Sequence, residues 1–290
     1  MTKVAFIGLG RRGHGMAGRY LDAGFTVAVF NRSKAKAEDL IARGARWASS
    51  PAEAADGAEA VATMVVDDEA SRHVWFGKDG AAAGMKPGTL AIECSTVSHQ
   101  HALDMARELR GRGLIYIDCP VTGLPEAART GKLTLLVGAD AADLERAKPY
   151  LAPIGNVVRH FGAVGTGTVF KLINNLMGAV QIASLAEGVA MAEQAGLDMN
   201  LVAEAMASGA VASPQVIRHS KRMVARDFSG ASFTAALRHK DAAYAVKLAE
   251  SLLADAPLVG RAAVEAYARA KVHAPDEDEG RMIEIVSRPK

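Results

Sequence analysis

The first thirty residues constrain the rest of the chain more than any other stretch. A β-branched and aromatic run, Val4 to Ile7, leads into Gly8-Leu9-Gly10-Arg11-Arg12-Gly13, then a helical pattern from His14 to Ala23 and a second strand-like run from Thr26 to Phe30. Strand, glycine-rich turn and helix in that order make the opening of a βαβ unit. In such a turn the first glycine allows the tight bend and the second lets backbone approach a pyrophosphate. The third packs helix on strand, with the helix N-terminus turned toward the anion. The motif predicts a dinucleotide-binding, doubly wound sheet.

The pattern continues as that fold demands. Helix near Lys34 to Arg43, strand Ala60 to Val65, helix Glu69 to Phe76, strand Thr89 to Glu93, helix His99 to Arg112 and strand Leu114 to Asp118 alternate along the chain. Lys132 to Val137 and Val157 to His160 read as further strands, joined by a helix near Ala141 to Leu151. Alternation of this kind implies a mainly parallel sheet with helices on both faces. From Thr166 onward every segment is helical in period, beginning with a stretch to Gly196 that would span about 45 Å. The fold class expected is α/β: a Rossmann-type doubly wound sheet over residues 1–163, then an all-helical domain over 164–290 that opens with a long interdomain helix. That helix is rich in Ala, Gly, Met and Leu on nearly all sides, but Lys171, Asn174, Asn175, Gln181 and Glu187 interrupt it, which a membrane span would not tolerate. A helix apolar all round is expected at the centre of its domain, with the surplus apolar surface taken up in a homodimer or higher homo-oligomer.

The end of the second strand indicates which dinucleotide is bound. NAD sites place a carboxylate there for the ribose hydroxyl, whereas this chain reads Asn31-Arg32-Ser33-Lys34, with Lys36 following. Arg32 can fork onto a 2'-phosphate, Ser33 can donate to it and Lys36 adds charge, so NADP is expected over NAD.

Composition excludes other classes. A net charge of +2 with both signs interspersed gives no basic stripe, and 5% aromatic residues leave little for base stacking, so nucleic acid is not an expected partner. Cys94 and Cys119 cannot form a disulfide framework, although their places at the ends of neighbouring strands make a redox pair conceivable. The histidines show no metal-ligand spacing, so no metal is expected. The first apolar strand runs straight into the glycine loop without a signal-peptide pattern, so a cytoplasmic location is expected.

Within Gly165 to Asn175 (GTGTVFKLINN), Lys171 and Asn175 fall at i, i+4 and share a helix face. A lysine held there can hand a proton to a carbonyl oxygen while a nicotinamide supplies hydride. Apolar surroundings are expected to bring such an ammonium's pKa toward neutrality.

With these residues in place, the chain resembles the β-hydroxyacid dehydrogenase family, which includes 3-hydroxyisobutyrate dehydrogenase and the glyoxylate and succinic semialdehyde reductases. The resemblance rests on GLGRRGHGMA at Gly8 to Ala17, ECSTVS at Glu93 to Ser98, DCPVTGLPEAARTGKLTLLVG at Asp118 to Gly138, GTGTVFKLINN, and DFSGASFTAALRHKDAAYA at Asp227 to Ala245. It implies that Lys171 donates and accepts the proton, that Asn175 orients the substrate oxygen with Asn174 beside it, and that Thr122 and Gly123 hold the substrate carboxylate. It also implies that Met64 and Val65 line the adenosine side and that Ser95 and Thr96 lie near the nicotinamide. Phe233 would belong to a region that closes over the cofactor, Lys240 would contact it, and Asp241 would orient Lys171.

Two positions depart from the family. Leu124 replaces the second glycine of the substrate turn and is expected to obstruct a small acid or change the turn. Arg12 stands where relatives carry Met and can reach the pyrophosphate or a substrate anion. The function implied is an NADP-dependent interconversion of a small β-hydroxyacid and its semialdehyde. An imine reductase-like NADPH enzyme and a non-catalytic NADPH-binding module are the alternatives; Lys171 argues against the first, and Lys171 with Asn175 against the second.

Overall fold

A computed structural model of the chain describes residues 2–230 and 233–287; Ala231 and Ser232 of the Asp227 to Ala245 motif lie outside the described residues. The alternating half forms one sheet of nine strands: β1 (Lys3–Ile7), β2 (Thr26–Phe30), β3 (Arg46–Trp47), β4 (Ala60–Thr63), β5 (Leu90–Glu93), β6 (Ile115–Asp118), β7 (Val121–Thr122), β8 (Leu133–Gly138) and β9 (Gly155–Gly162). Their order is β3-β2-β1-β4-β5-β6-β8-β7, with β9 paired to β8. The sheet is parallel from β3 through β6. Beyond that β8 runs antiparallel to both β6 and β7, so the sheet is mainly parallel, as expected. β6 and β7, separated only by Cys119 and Pro120, run in the same direction on either side of β8, which returns between them. β3 and β7, at two residues each, are too short to leave a periodic signal in the sequence.

β1 lies inside the sheet, between β2 and β4, and its side chains explain its unbroken apolar run. Val4 and Phe6 pack on one face with Met16 and Tyr20, while Ala5 and Ile7 pack on the other with Val61 and Trp75. A strand covered on both faces is apolar at every position rather than at alternate ones.

The second half is helical: Thr166–Gln194, Met199–Ser208, Pro214–Ala225, Ala235–Leu252, Leu258–His273 and Met282–Val286. Its own core includes Ile182, Val189, Met223, Tyr267 and Ile283. The two compact units divide between Lys171 and Leu172, within the long helix. The reason lies in the helix's first turn. The N–H groups of Gly165 and Thr168 donate to the Asp118 carboxylate at 2.6 and 2.7 Å. Gly167 meets β8 so closely that a Cβ there would lie 2.2 Å from the Leu136 carbonyl oxygen. By composition this helix is long and apolar enough to cross a membrane, but its start is tied to the sheet. It is also less central than expected, since Ile173, Met177 and Met191 are exposed.

Candidate active site

The fingerprint loop separates its glycines by purpose. Gly8 has φ +98°, and a Cβ there would fall 2.3 Å from the Met64 carbonyl oxygen, while one on Gly13 would fall 2.0 Å from that of Gly8. A Cβ on Gly10 would meet nothing within 4 Å. The chain itself therefore demands the first and third glycines, and the second is open backbone of the kind a pyrophosphate approaches. The helix Gly13–Asp22 starts at Arg12 with no side-chain cap on its first turn, as an anion-binding N-terminus requires. A dinucleotide fits this cradle. Leu9 does not present its amide to it, because that N–H donates to Asn31 Oδ1 at 3.0 Å and the side chain is core. Asn31 in turn donates to the Ser33 carbonyl, so it braces the loop against the end of β2. Arg11, Arg32, Ser33, Lys34 and Lys36 are exposed.

At the ends of β4 and β5 a buried carboxylate organises the next candidates. Glu93 accepts from Thr63 Oγ1, Ser71 Oγ, Trp75 Nε1 and the Ser95 N–H at 2.6 to 3.0 Å. Ser95 Oγ then accepts from the Val65 N–H at 2.7 Å. This network fixes Val65 and Ser95 to each other, with Met64 and Thr96 flanking them, all at the carboxyl edge of the sheet where ligands bind in open α/β folds. The role of Glu93 escapes a motif-based reading, although a carboxylate ending an apolar strand is a visible signal.

The turn expected to hold substrate follows β7. Gly123 has φ +132°, and a Cβ there would lie 2.8 Å from Leu133 Cδ2, so this glycine is required. Leu124, by contrast, sits at φ −77°, ψ 167° with its side chain exposed, which is ordinary extended backbone. No left-handed backbone is asked of Leu124. Lys171 Nζ, buried at 7% exposure, donates to the Val121 carbonyl at 2.8 Å. Arg12 Nε donates to the Gly123 carbonyl at 2.9 Å. Two cations thus hold the carbonyls on either side of Thr122.

Asp118, at the end of β6, is raised to about 6 from its ordinary 3.8 because burial penalises its charge, with the Gly165 and Thr168 N–H groups pulling the other way. A carboxyl raised in the folded state contributes stability that is complete below its unfolded value and is lost as pH rises through the folded one. The stability margin of the wild type over Asp118→Asn is therefore expected to narrow by up to about 3 kcal/mol between roughly pH 4 and 7. Thermal unfolding of both proteins across that range checks this, and a constant margin would contradict it.

In the helical unit, Asn175 Nδ2 donates to Asp241 Oδ2 at 2.6 Å, and Lys240 Nζ lies 2.8 Å from Asp241 Oδ1. Asp241 therefore orients the Asn175 amide. Asn174 is exposed and donates to Asn175 Oδ1. Phe233 covers the Arg238 guanidinium at 4.5 Å, so its visible role is packing within this unit. Cys94 and Cys119 are both buried, and the hydrogen bond to Cys119 together with burial raises the Cys94 thiol, the opposite of a reactive thiolate. Among the described residues no cluster suited to a metal forms.

Residues 3–164 match the NAD-binding domain of 6-phosphogluconate dehydrogenase, and residues 165–286 match the NAD-binding domain of NADP-dependent 3-hydroxyisobutyrate dehydrogenase. The chain belongs to the β-hydroxyacid dehydrogenase family. It is 32% identical to a chloroplastic glyoxylate/succinic semialdehyde reductase of Arabidopsis thaliana, over 100% of this chain and 80% of the relative. It is 35% identical to an NAD-dependent L-serine dehydrogenase of Pseudomonas aeruginosa, over 92% of this chain and 91% of the other. The solved structure of Mycobacterium tuberculosis 3-hydroxyisobutyrate dehydrogenase with L-serine superposes with a TM-score of 0.89 at 29% identity, covering 99% and 100% of the two chains. Membership makes this protein a nicotinamide-dependent oxidoreductase acting on hydroxyl and aldehyde groups.

Proposed function

We propose that the enzyme interconverts a small β-hydroxyacid and its semialdehyde with NADP, and that Lys171 is the acid and base. The observation that carries this reading is the buried Lys171 ammonium 2.8 Å from the Val121 carbonyl, one residue before Thr122. A nicotinamide held by the Gly8 to Gly13 loop and the Val65 and Ser95 strand ends would supply or accept the hydride. Lys171 gives a proton to the substrate oxygen during reduction and takes it back during oxidation. Asn175, one turn further along the same helix, orients that oxygen, while Thr122 and the Gly123 backbone hold the carboxylate. L-serine and 3-hydroxyisobutyrate, named for the similar proteins, are both β-hydroxyacids. NADP is favoured over NAD because Asn31 is neutral and occupied where an NAD site needs a carboxylate, with exposed Arg32, Ser33 and Lys36 beyond it. The exposed apolar residues of the long helix support assembly as a homodimer.

Arg12 is assigned to the substrate end of the site rather than to the pyrophosphate, on its bond to the Gly123 carbonyl. Its fixed charge favours an anionic substrate. Arg12→Met is expected to lower kcat/KM for an acidic semialdehyde by roughly tenfold to a hundredfold while changing that for an uncharged aldehyde little. Equal losses for both would refute the assignment. The function itself is tested by NADP reduction with L-serine, 3-hydroxyisobutyrate and the corresponding uncharged alcohols; turnover confined to the uncharged alcohols would overturn it.

A further inference from the structure

Arg238 is one of the most expensive side chains in the molecule to bury. It is 5% exposed, its Nε and Nη2 fork onto the carboxylate of Glu279, itself 1% exposed, and Phe233 covers the guanidinium plane. An ion pair of this kind is weak evidence for stability, because well-packed apolar residues usually do as well. What distinguishes it is its target: the remaining arm, Nη1, donates to the backbone carbonyl of Asn175 at 3.1 Å. The long helix admits the guanidinium there because the next turn carries Gly178, where a Cβ would stand 3.0 Å from Nη1. Arg238 and Asp241 lie one turn apart on the helix Ala235–Leu252, and between them they hold both ends of one residue, Arg238 its carbonyl and Asp241 its amide.

We infer that Arg238 and Glu279 are positioning residues for Asn175, fixing the helix backbone from which its amide is presented. Glu279 orients the fork, Arg238 transmits that orientation to the Asn175 carbonyl, and Asp241 sets the side chain. The inference rests on the proposed role of Asn175 in orienting the substrate oxygen. Displacement of such a group by a fraction of an ångström lowers turnover without weakening cofactor binding.

The test is the double variant Arg238→Met with Glu279→Gln, which strands neither buried charge, assayed with an acidic semialdehyde. kcat is expected to fall by roughly tenfold to a hundredfold, with KM and the NADPH dissociation constant little changed. The same pair introduced into Asn175→Ala is expected to cause no further loss. Wild-type kcat in the pair variant, or an undiminished additional fall in the Asn175→Ala background, would overturn the inference. If the pair variant does not fold, Arg238→Lys takes its place: an ammonium keeps the charge against Glu279 but lacks the fork that also reaches Asn175. The same loss of kcat is expected there, and wild-type kcat would refute the idea. Lys171→Ala, measured alongside, separates the two levels, since turnover surviving that change would sink the proposed function itself.

Discussion

Lys171→Ala is expected to lower kcat by roughly a hundredfold to ten-thousandfold, the range lost when a positioned proton donor is removed. NADPH binding, followed by cofactor fluorescence, should be nearly unchanged, because the lysine holds the Val121 carbonyl beside Thr122. Lys171→Arg is expected to be almost as inactive despite keeping the charge, since a guanidinium does not release a proton near neutral pH. That comparison distinguishes proton transfer from simple electrostatic attraction of an acid. Substantial activity in Lys171→Arg would mean that the cation only binds. Removing the lysine also leaves the buried Val121 carbonyl without this donor, so the retained NADPH affinity serves as the control that the fold has survived.

Arg32→Ala is expected to weaken NADPH by roughly tenfold to a hundredfold and to leave NADH almost unaffected, because a guanidinium forked onto a 2'-phosphate has no counterpart in NADH. The loss should shrink as salt is raised, since Arg32 is exposed and its field is screened. Titration of both cofactors into both proteins decides the matter. Equal affinity of the wild type for NADPH and NADH would remove the basis for an NADP preference, whatever the variant did.

The sequence carries local chemistry well and long-range partnership poorly. Gly8 and Gly13 are legible because each answers a steric demand that the strand, turn and helix pattern announces, and Lys171 with Asn175 is legible because helical spacing alone puts them on one face. Which residue Asp241 would meet was not legible. Its partner Asn175 lies 66 residues away, and only the fold brings the two together. Arg12 and Gly123 are separated by 111 residues, so a departure in the fingerprint and a turn in the substrate loop gave no sign of belonging to one contact. Leu124 shows that a missing glycine has to be judged by the conformation of its own position. A missing glycine suggests strain only if the position needs positive φ, and here Gly123 alone bears that requirement. The antiparallel β8 and the anchoring of the long helix by Asp118 likewise depend on segments that are brought to Asp118 by the fold and lie far from it along the chain.

The central claim is that this site reduces an acidic semialdehyde by lysine-assisted proton transfer. The most direct test is the initial rate of NADPH oxidation by the wild type with succinic semialdehyde, methylmalonate semialdehyde and glyoxylate, set beside uncharged aldehydes and a cyclic imine. The account predicts rapid oxidation with one or more of the acids, slower oxidation with the uncharged aldehydes and none with the imine. Turnover confined to the uncharged aldehydes or to the imine would contradict it.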